Sequence, residues 1–411
     1  MRVGTPLRAR WCGWLVPMLR CAAVRSHRVL LETGLFAEQH DSARHHSRQA
    51  RAVEGDAAAR SAHAGTAVDP WRDFIESTDM DAAEAVLRRQ PQGKTTREPC
   101  VAKLAFLFLV IDKVETEEVW DAFFADVDQT CFSVYMHRAA PTTSQGSFQH
   151  LPNAVDIPFT RSSWCALLGA ELALFHEALK DPRNQQFVLA SHDTVPLKSF
   201  RYIYDDLIAH SSATSKLCFA SSSSLASCPY KSQEGFLAKG VAKHHEWLIL
   251  SRSHAEIVCA HARPMLARYY ALSKPGAANS FMCSDEAGPA IALLSAADGA
   301  AGDARPPKES IWERFDRAGV EQRCTTFVYW DGCFQNSTLD LKMRDPSAPA
   351  WHPHEFADID GWYLYKLVNS SLLFARKFLR NASVATGTGT WALARVLPSY
   401  WAEAEFRPGF R

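Results

Sequence analysis

Two neighbouring carboxylates in the stretch Phe281–Leu294 are the first residues of this sequence that suggest chemistry. Ser284, Asp285 and Glu286 follow a loop rich in Gly, Ala and Asn and precede a short apolar run. Serine is a good N-cap and acidic residues suit the first turn of a helix, so the local pattern favours a helix capped at Ser284. A carboxylate at the mouth of a pocket can instead act as a general base, and Glu286 is the candidate for that role. Taken alone, this stretch favours the capping interpretation.

Motifs for several common chemistries are absent from the sequence. There is no G-x-G-x-x-G, no P-loop and no G-x-S-x-G, which argues against dehydrogenases, ATPases and the usual hydrolases. Asp-x-Asp pairs occur at 126–128 and 358–360, but this spacing is common by chance, and we interpret both as solvated acids. His244 and His245 are adjacent and therefore point in different directions, so a surface or core role is favoured over metal binding.

The composition is that of an ordinary globular protein. The 411 residues are 47% hydrophobic and 22% charged. Lys plus Arg and Asp plus Glu both number 45, and no basic stripe with interleaved aromatics is present, so no nucleic-acid partner is expected. The 11 cysteines contain no Cys-x-x-Cys pair; they are compatible with some disulfides, and their odd number leaves at least one unpaired.

The N-terminal part of the chain has the character of a leader and a stem. Three arginines precede the apolar run Trp11–Leu19, as in a signal peptide or signal anchor, although a secure membrane span needs about 20 apolar residues. An Arg-rich leader of another kind is the alternative. We divide the chain into a candidate signal peptide or anchor, a poorly ordered stem, a folded domain and a C-terminal tail: residues 1–21, 22–98, 99–382 and 383–411.

Three sequons for Asn-linked glycosylation cluster in the C-terminal third of the chain, at Asn336, Asn369 and Asn381. Such glycans are added to proteins of the secretory pathway, on surface segments. The cluster therefore favours a lumenal protein and the secretory interpretation of the leader.

Strand and helix patterns alternate from Cys100 onward. Val101–Ile111 is an apolar run interrupted only by Lys103, typical of a buried parallel strand, and Trp164–Leu179 has the spacing of an amphipathic helix. Further strands are predicted at Cys131–Met136, Val155–Phe159, Phe187–Ala190, Leu248–Leu250 and Thr326–Tyr329, and further helices at Val119–Phe124, Phe200–Ile208 and Ser253–Ala271. The alternation predicts an α/β sheet with functional groups at the strand ends. The last thirty residues are expected to be loosely ordered.

Several short segments are informative when they are taken together and in their order along the chain: Ala105–Leu109, Tyr135–His137, Phe187–Leu197, Lys239-Gly240 with Trp247, Ser284–Glu286, His352-Pro353 with Phe356, and Phe374–Phe378. Together they resemble the core-2/I-branching β-1,6-N-acetylglucosaminyltransferase family, most closely its plant-type branch. The resemblance covers roughly Lys103 to Phe378. No motif is specific alone, and their common order carries the resemblance.

The resemblance implies a fold, a location and a reaction. The fold is an α/β fold of GT-A type, a Rossmann-like mixed sheet flanked by helices, on a type II membrane protein whose catalytic domain is in the Golgi lumen. The reaction is inverting transfer of a sugar, N-acetylglucosamine in this family, from a UDP-sugar to a hydroxyl group of a glycan or glycoprotein. Neither a metal ion nor another cofactor is expected.

The resemblance also assigns roles to residues on the donor side and to the base. Glu286 would be the general base, and Lys377 would bind the diphosphate with Arg376 as its neighbour. Asp193 lies where the family has a polar, nucleotide-side loop, and His137 falls in a matched segment, so both are donor-side candidates. Three of these residues have an ordinary structural alternative. Arg376 and Lys377 could be a solvated pair, and Asp193 could have a role in a turn.

On the acceptor side, Trp330 resembles the family's acceptor-stacking tryptophan, and a core role is its alternative. The sequence also departs from the family. Ala287 replaces the usual His after the Asp-Glu pair, and Gly288-Pro289 is expected to disturb a helix start there. His354 is the nearest candidate for the second diphosphate-binding Arg of the family, and His192 is a weaker candidate than Asp193. Two rivals remain: a non-catalytic, lectin-like or scaffold relative, and a cytosolic α/β hydrolase or binding protein.

Overall fold

The computed structural model describes most of the chain from residue 99 onward. The described residues are 99–140, 154–219, 242–272, 283–298, 310–329 and 353–405. The predicted leader and stem lie outside them, as do Trp330 and the sequon at Asn336. Within these ranges, no helix combines the length and the apolar character needed to cross a membrane.

A seven-stranded mixed sheet forms the centre of the fold. Its strands are β1 (Lys103–Val110), β2 (Phe132–Arg138), β3 (Val155–Asp156), β4 (Asn184–Ser191), β6 (Ser215–Leu217), β7 (Ile249–Ser251) and β8 (Val320–Gln322). They lie in the order β3-β2-β1-β4-β7-β6-β8. The four strands from β3 to β4 are parallel, whereas β7 is antiparallel to both of its neighbours.

Two three-stranded sheets complete the β-structure. The first contains β5 (Val195–Pro196), β9 (Thr326–Val328) and β11 (Phe374–Arg376), with β11 in the middle. The second contains β10 (Phe356–Asp360), β12 (Phe378–Thr386) and β13 (Gly389–Ala392), with β12 in the middle. Because β5 directly follows β4, the first small sheet lies against the loop at the end of a central strand.

The helices cover both faces of the central sheet. They are α1 (Glu117–Phe124), α2 (Leu168–Ala178), α3 (Phe200–Tyr204, continued by a π-helical turn at Asp205–Ala209), α4 (Arg252–Ala260), α5 (Ala262–Leu272), α6 (Gly288–Ala297), α7 (Ile311–Arg317), α8 (Gly361–Val368) and α9 (Leu393–Glu405). The predicted α/β fold, a mixed sheet flanked by helices, is confirmed.

Strand β1 shows why the sequence contains one long apolar run. Successive side chains of a strand point to opposite faces, and both faces of β1 are covered. Phe106 and Phe108 pack with Trp120 in one apolar cluster, whereas Leu107 packs with Phe187 in the other. All of the side chains of β1 are therefore buried. The strand lacks the alternation of polar and apolar residues that a half-exposed strand shows.

Three local predictions are wrong. Ser284 is not an N-cap: residues 284–287 form a turn, α6 begins at Gly288 with Ala287 as its N-cap, and Pro289 occupies the first turn, where a missing N–H costs nothing. The helix predicted over Ser253–Ala271 is two helices that meet at His261. Residues 383–405, expected to be loosely ordered, contain the end of β12, the whole of β13 and α9.

The sequence pattern does not predict the C-terminal helix α9. Pro398 lies inside α9, and a proline within a helical pattern ordinarily indicates its end. Val396, Leu397, Tyr400 and Trp401 are nevertheless buried in the cluster that also contains β1. The tertiary contacts of this face therefore outweigh the poor local propensity.

Candidate active site

The carboxyl ends of three parallel strands meet at one edge of the central sheet. His137 on β2 stands opposite Leu109 on β1, which in turn stands opposite Ser191 on β4. Just beyond β4, the backbone N–H of His192 donates to the carbonyl of Leu109 over 3.1 Å. The polar loop after β4 therefore lies at the edge where ligands of parallel α/β sheets bind.

Helix α1 fixes this loop from the other side. Thr116 Oγ1 and Trp120 Nε1 both donate to the carbonyl of Thr194, over 2.7 and 2.9 Å. The backbone N–H of Ser191 donates to Thr194 Oγ1 over 3.0 Å. These buried contacts hold the segment that contains Asp193 in one conformation.

Asp193 forms a two-point ion pair with Arg376 at the end of β11. Arg376 Nε lies 3.0 Å from Asp193 Oδ1 and Nη2 lies 3.2 Å from Oδ2, and both residues are buried. His192 adds a ring nitrogen 3.8 Å from Oδ2. Burial raises the pKa of Asp193, but Arg376, His192 and the hydrogen bonds from Arg376 and Ser191 outweigh it, so the pKa is lowered. Asp193 is thus held as a carboxylate.

Glu286 forms an ion pair with Lys243, a residue that the sequence analysis did not select. Lys243 Nζ lies 2.7 Å from Glu286 Oε2, and the two side chains are 9% and 12% exposed. The backbone N–H of His244 donates to the carbonyl of Glu286 over 2.8 Å. The segment at 243–244 therefore contacts both the backbone and the carboxylate of the candidate base.

The turn that contains Glu286 is attached to the start of α2. Cys283 forms a disulfide with Cys165, and the backbone N–H of Leu167 donates to Asp285 Oδ1 over 3.1 Å. A Cβ at Gly288 would lie 2.7 Å from a methyl group of Leu168, so any larger residue there would have to displace this leucine side chain. The position of Glu286 is therefore set by α2 as well as by its own turn.

Asp285 is buried, and its carboxyl group accepts hydrogen bonds from the backbone N–H of Leu167 and the hydroxyl of Ser284. Burial raises the pKa of Asp285 to about 6; Glu286 adds to the rise, and the hydrogen bond from Leu167 opposes it. The Asp-Glu pair thus places two neighbouring carboxyls in different environments. Such a difference between neighbouring acids is typical of functional sites.

The segment 242–247 links the two ion pairs. Lys243 contacts Glu286, and four residues later the indole ring of Trp247 lies under the guanidinium of Arg376, 4.3 Å from ring centroid to Cζ. His244 and His245, between them, are buried, and burial is the main reason that their pKa values fall to about 4 and about 3. Both are neutral at pH 7, and the prediction of a core role suits them.

Two further carboxyl groups border the site, the buried Glu171 and the half-buried Glu246, and the sequence analysis missed both. Glu171 on α2 is fully buried, and both of its carboxyl oxygens lack a hydrogen-bond partner among the described residues. Burial, with Asp285 nearby, raises the pKa of Glu171, and burial also raises that of Glu246. Glu171 lies on the buried face of a predicted amphipathic helix, and that unusual placement was the available signal.

Three other residues predicted on the donor side, Lys377, His137 and His354, form neither of these two ion pairs. Lys377 is half-buried at the junction of β11 and β12, and its Nζ lies 3.6 Å from a carboxylate oxygen of the exposed Glu355. His137 is buried; its Nε2 lies 2.9 Å from the carbonyl and 3.1 Å from the amide of Thr160. His354 donates its backbone N–H to Tyr329.

The geometry therefore connects Glu286, Asp193 and Arg376 through the segment 242–247. Lys377 adjoins Arg376 in the chain, and the acceptor-side Trp330 lies outside the described residues. The functional roles of these residues stay predictions.

No metal-binding cluster of three or more His, Cys, Asp or Glu residues occurs in the part of the chain that the structure describes. The aspartates of both Asp-x-Asp pairs are exposed, which confirms that they are solvated acids. Asp360 has a structural role, because its side chain accepts the backbone N–H of Trp362 and caps α8. Whether a reaction at this site needs a metal ion stays a prediction.

Two solved structures have a weak resemblance to the fold. An active-site mutant of LgtC gives a TM-score of 0.27 at 12% identity, with 53% of this chain and 84% of that chain covered. The bifunctional glycosyltransferase WbbM in its apo form gives 0.25 at 8% identity, with 68% and 46% covered. These scores are too low to support an argument about function.

The sequence comparisons are more informative. Glycosyltransferase BC10 of Oryza sativa subsp. japonica is 32% identical over 168 residues, which is 39% of this chain and 41% of that protein. The chain thus spans less than half the length of this relative. The model of the Core-2/I-Branching enzyme family matches residues 104–281, a range that contains all but the first residue of β1, together with β2, β4 and the segment 242–247. Over residues 104–281 the chain is therefore similar to the Core-2/I-Branching enzyme family.

Proposed function

We propose that the protein is a glycosyltransferase that moves a sugar, N-acetylglucosamine, from a UDP-sugar to a hydroxyl group of a glycan or glycoprotein, with inversion and without a metal ion. The match of residues 104–281 to the family model and the 32% identity to a glycosyltransferase support transfer of a sugar. The observation that carries the mechanism is the ion pair of Glu286 with Lys243, beside the Asp193–Arg376 pair.

Glu286 is the general base in this proposal. Its carboxylate takes the proton of the acceptor hydroxyl while the acceptor oxygen attacks the anomeric carbon of the donor. The bond from that carbon to the diphosphate oxygen breaks, its electron pair stays on the oxygen, and the configuration at the carbon inverts. A positioned general base typically contributes about 10²- to 10⁴-fold to the rate.

The leaving UDP gains negative charge, and a fixed cation is needed to stabilise it when no metal ion is bound. Arg376 is unsuited to this task, because Asp193 already neutralises its charge and Trp247 covers its plane. Lys377 suits it better, because its side chain is 22% exposed and its ion pair with Glu355 is long, at 3.6 Å. We therefore assign the diphosphate to Lys377 and a supporting role to Arg376.

The proposed location is the lumen of the Golgi or another secretory compartment. The sequons and the candidate leader support it, and so do three disulfides: Cys100–Cys131, Cys165–Cys283 and Cys218–Cys324. Such bonds form and persist mainly in oxidising compartments. Imaging of the tagged full chain with Golgi and cytosolic markers tests the location, and a cytosolic signal would overturn it.

Release of UDP from a panel of UDP-sugars tests the reaction, measured with the full chain in EDTA and with candidate glycan acceptors. Wild type is compared with Glu286→Gln and Lys377→Ala. Lys180→Ala is the matched control, because Lys180 also forms a surface ion pair, with Glu177, at the far end of α2. We expect turnover in EDTA by wild type and the control, and its loss in the two site variants.

Three other outcomes would contradict parts of the proposed reaction. Binding of UDP without turnover of any donor would indicate a non-catalytic relative that has kept the pocket. Turnover that EDTA abolishes would overturn the metal-independent mechanism. Full activity of Glu286→Gln would exclude this residue as the base.

A further inference from the structure

We propose that Lys243 is a positioning residue that holds the carboxylate of Glu286 on the acceptor side of the site, and that it does not bind the leaving diphosphate. The inference rests on the proposed transferase reaction and deepens it. Its basis is the ion pair between Lys243 Nζ and Glu286 Oε2, 2.7 Å long and almost removed from solvent. A charge-assisted hydrogen bond of this length is strong and directional.

The stereochemistry of the reaction decides between the two roles for this lysine. In an inverting displacement, the attacking and leaving oxygens lie on opposite faces of the anomeric carbon. A base that takes the proton of the attacking oxygen lies on the acceptor face. Since Lys243 is within hydrogen-bonding distance of that base, its ammonium group is on the acceptor face too. A cation that neutralises the diphosphate must lie on the other face, which is the role we give to Lys377.

The backbone around Lys243 supports a positioning role. His244, the next residue, donates its N–H to the carbonyl of Glu286, so the lysine side chain and its own backbone segment contact the same residue. Glu286 is held at two points, its carbonyl and its carboxylate. A misplacement of a catalytic group by about 1 Å can cost about 10²-fold in rate, so the second contact is functionally important.

The groups that surround Glu286 are mainly acidic. Asp285 on the same turn, Glu171 on α2 and Glu246 on the segment 242–247 all interact electrostatically with Glu286. Arg376 on β11 faces Glu246 but is bound by Asp193. Lys243 therefore offsets the repulsion that any of these acids exerts on a carboxylate at Glu286 when it is ionised.

The expected effect of Lys243→Met is a fall in kcat by about 10²-fold with little change in UDP affinity. The acidic limb of the kcat–pH profile should also move upward by about one pH unit or more, because loss of an adjacent cation disfavours the ionised base. Lys243→Arg should restore most of both properties, since a guanidinium can also pair with the carboxylate.

The experiment uses the full chain and the donor that the UDP-release assay identifies. It measures kcat between pH 5 and pH 8 and the Kd of UDP by calorimetry. The variants are Lys243→Met, Lys243→Arg and Lys377→Met. Lys103→Met is the matched control, since Lys103 pairs with Asp181 over 3.0 Å at the opposite edge of the central sheet. Should Lys243→Met fail to fold, Lys243→Gln keeps a donor without the charge and should show the same shift.

Three results would overturn the inference. The first is weaker UDP binding by Lys243→Met, to the extent seen in Lys377→Met. The second is a wild-type kcat and pH profile in Lys243→Met. The third is an absence of turnover by wild type with every donor, which would overturn the proposed function as well. The first two leave the proposed function intact, so the two failures are distinguishable.

Discussion

Asp193 and Arg376, 183 residues apart in the chain, form a buried two-point ion pair that joins the loop after β4 to the end of β11. The backbone of the same aspartate is also engaged, because Phe378 donates its N–H to the carbonyl of Asp193 over 2.9 Å. Trp247 covers the guanidinium from a third segment. The central sheet and one small sheet are therefore tied together at the candidate site.

Replacement of Asp193 by Asn should destabilise the protein strongly. Loss of one partner leaves the buried guanidinium of Arg376 unpaired, which typically costs about 3–5 kcal/mol in the free energy of unfolding. Asp156→Asn is the control: it removes a largely exposed partner of Arg138 and should cost less than about 1 kcal/mol. Urea unfolding at pH 7 measures both. Equal losses in the two variants would contradict a structural role for the buried pair.

The same pair gives a pH dependence with a definite sign. The folded pKa of Asp193 lies below its value in the unfolded chain. The stabilisation that this ion pair gives to the folded protein is therefore fully present above about pH 4. It is lost as the pH falls through the folded pKa of Asp193. Below about pH 4, the difference in stability between wild type and Asp193→Asn should shrink, and a constant difference across that range would argue against the assignment.

Asp285→Asn should have the opposite pH dependence. The pKa of Asp285 rises from an ordinary value of 3.8 to about 6, so ionisation of this carboxyl opposes folding as the pH rises through that interval. At pH 8 the variant should be more stable than wild type by on the order of 3 kcal/mol, whereas at pH 4 the two should be similar. Asn retains an oxygen that can accept the N–H of Leu167. Urea unfolding at both values tests this, and a pH-independent difference would contradict it.

The two described sequons differ in their surroundings, and we predict a glycan at Asn381 and none at Asn369. Asn381 is exposed on β12, where the pairing with β10 shifts register. The amide nitrogen of Asn369, the atom that would carry the glycan, donates to the carbonyl of Tyr365 over 2.8 Å. In the Asn336→Gln background, expressed through a secretory pathway, Asn381→Gln should abolish the mass shift on PNGase F treatment. A shift that Asn369→Gln abolishes instead would contradict this.

The parts of the fold that sequence patterns predict well are those with a strong local signature. β1 is a continuous apolar run because both of its faces are covered, and α2 shows helical spacing because one of its faces packs on the sheet. The polar loop after β4 was selected because parallel strands end at a common edge. Asp193 itself was selected because the family that the sequence resembles has a polar, nucleotide-side loop at this position.

Contacts between distant segments were not predictable from those patterns. Ser284 resembles an N-cap locally, but the disulfide of Cys283 and the hydrogen bond to Asp285 fix residues 284–287 as a turn before α6. Lys243 appears in the sequence as one charged residue beside two histidines. Its importance follows from the position of Glu286, which a single sequence does not specify.

The central claim is that Glu286 is the base of a metal-independent sugar transfer, and its kinetics test this most directly. The measurement is kcat for UDP release in EDTA by the full chain, with and without the acceptor glycan, for wild type and Glu286→Gln, beside the Kd of UDP. We predict that Glu286→Gln lowers the acceptor-dependent kcat by about 10²-fold or more and leaves UDP affinity unchanged. An acceptor-dependent kcat equal to that of wild type would contradict the claim.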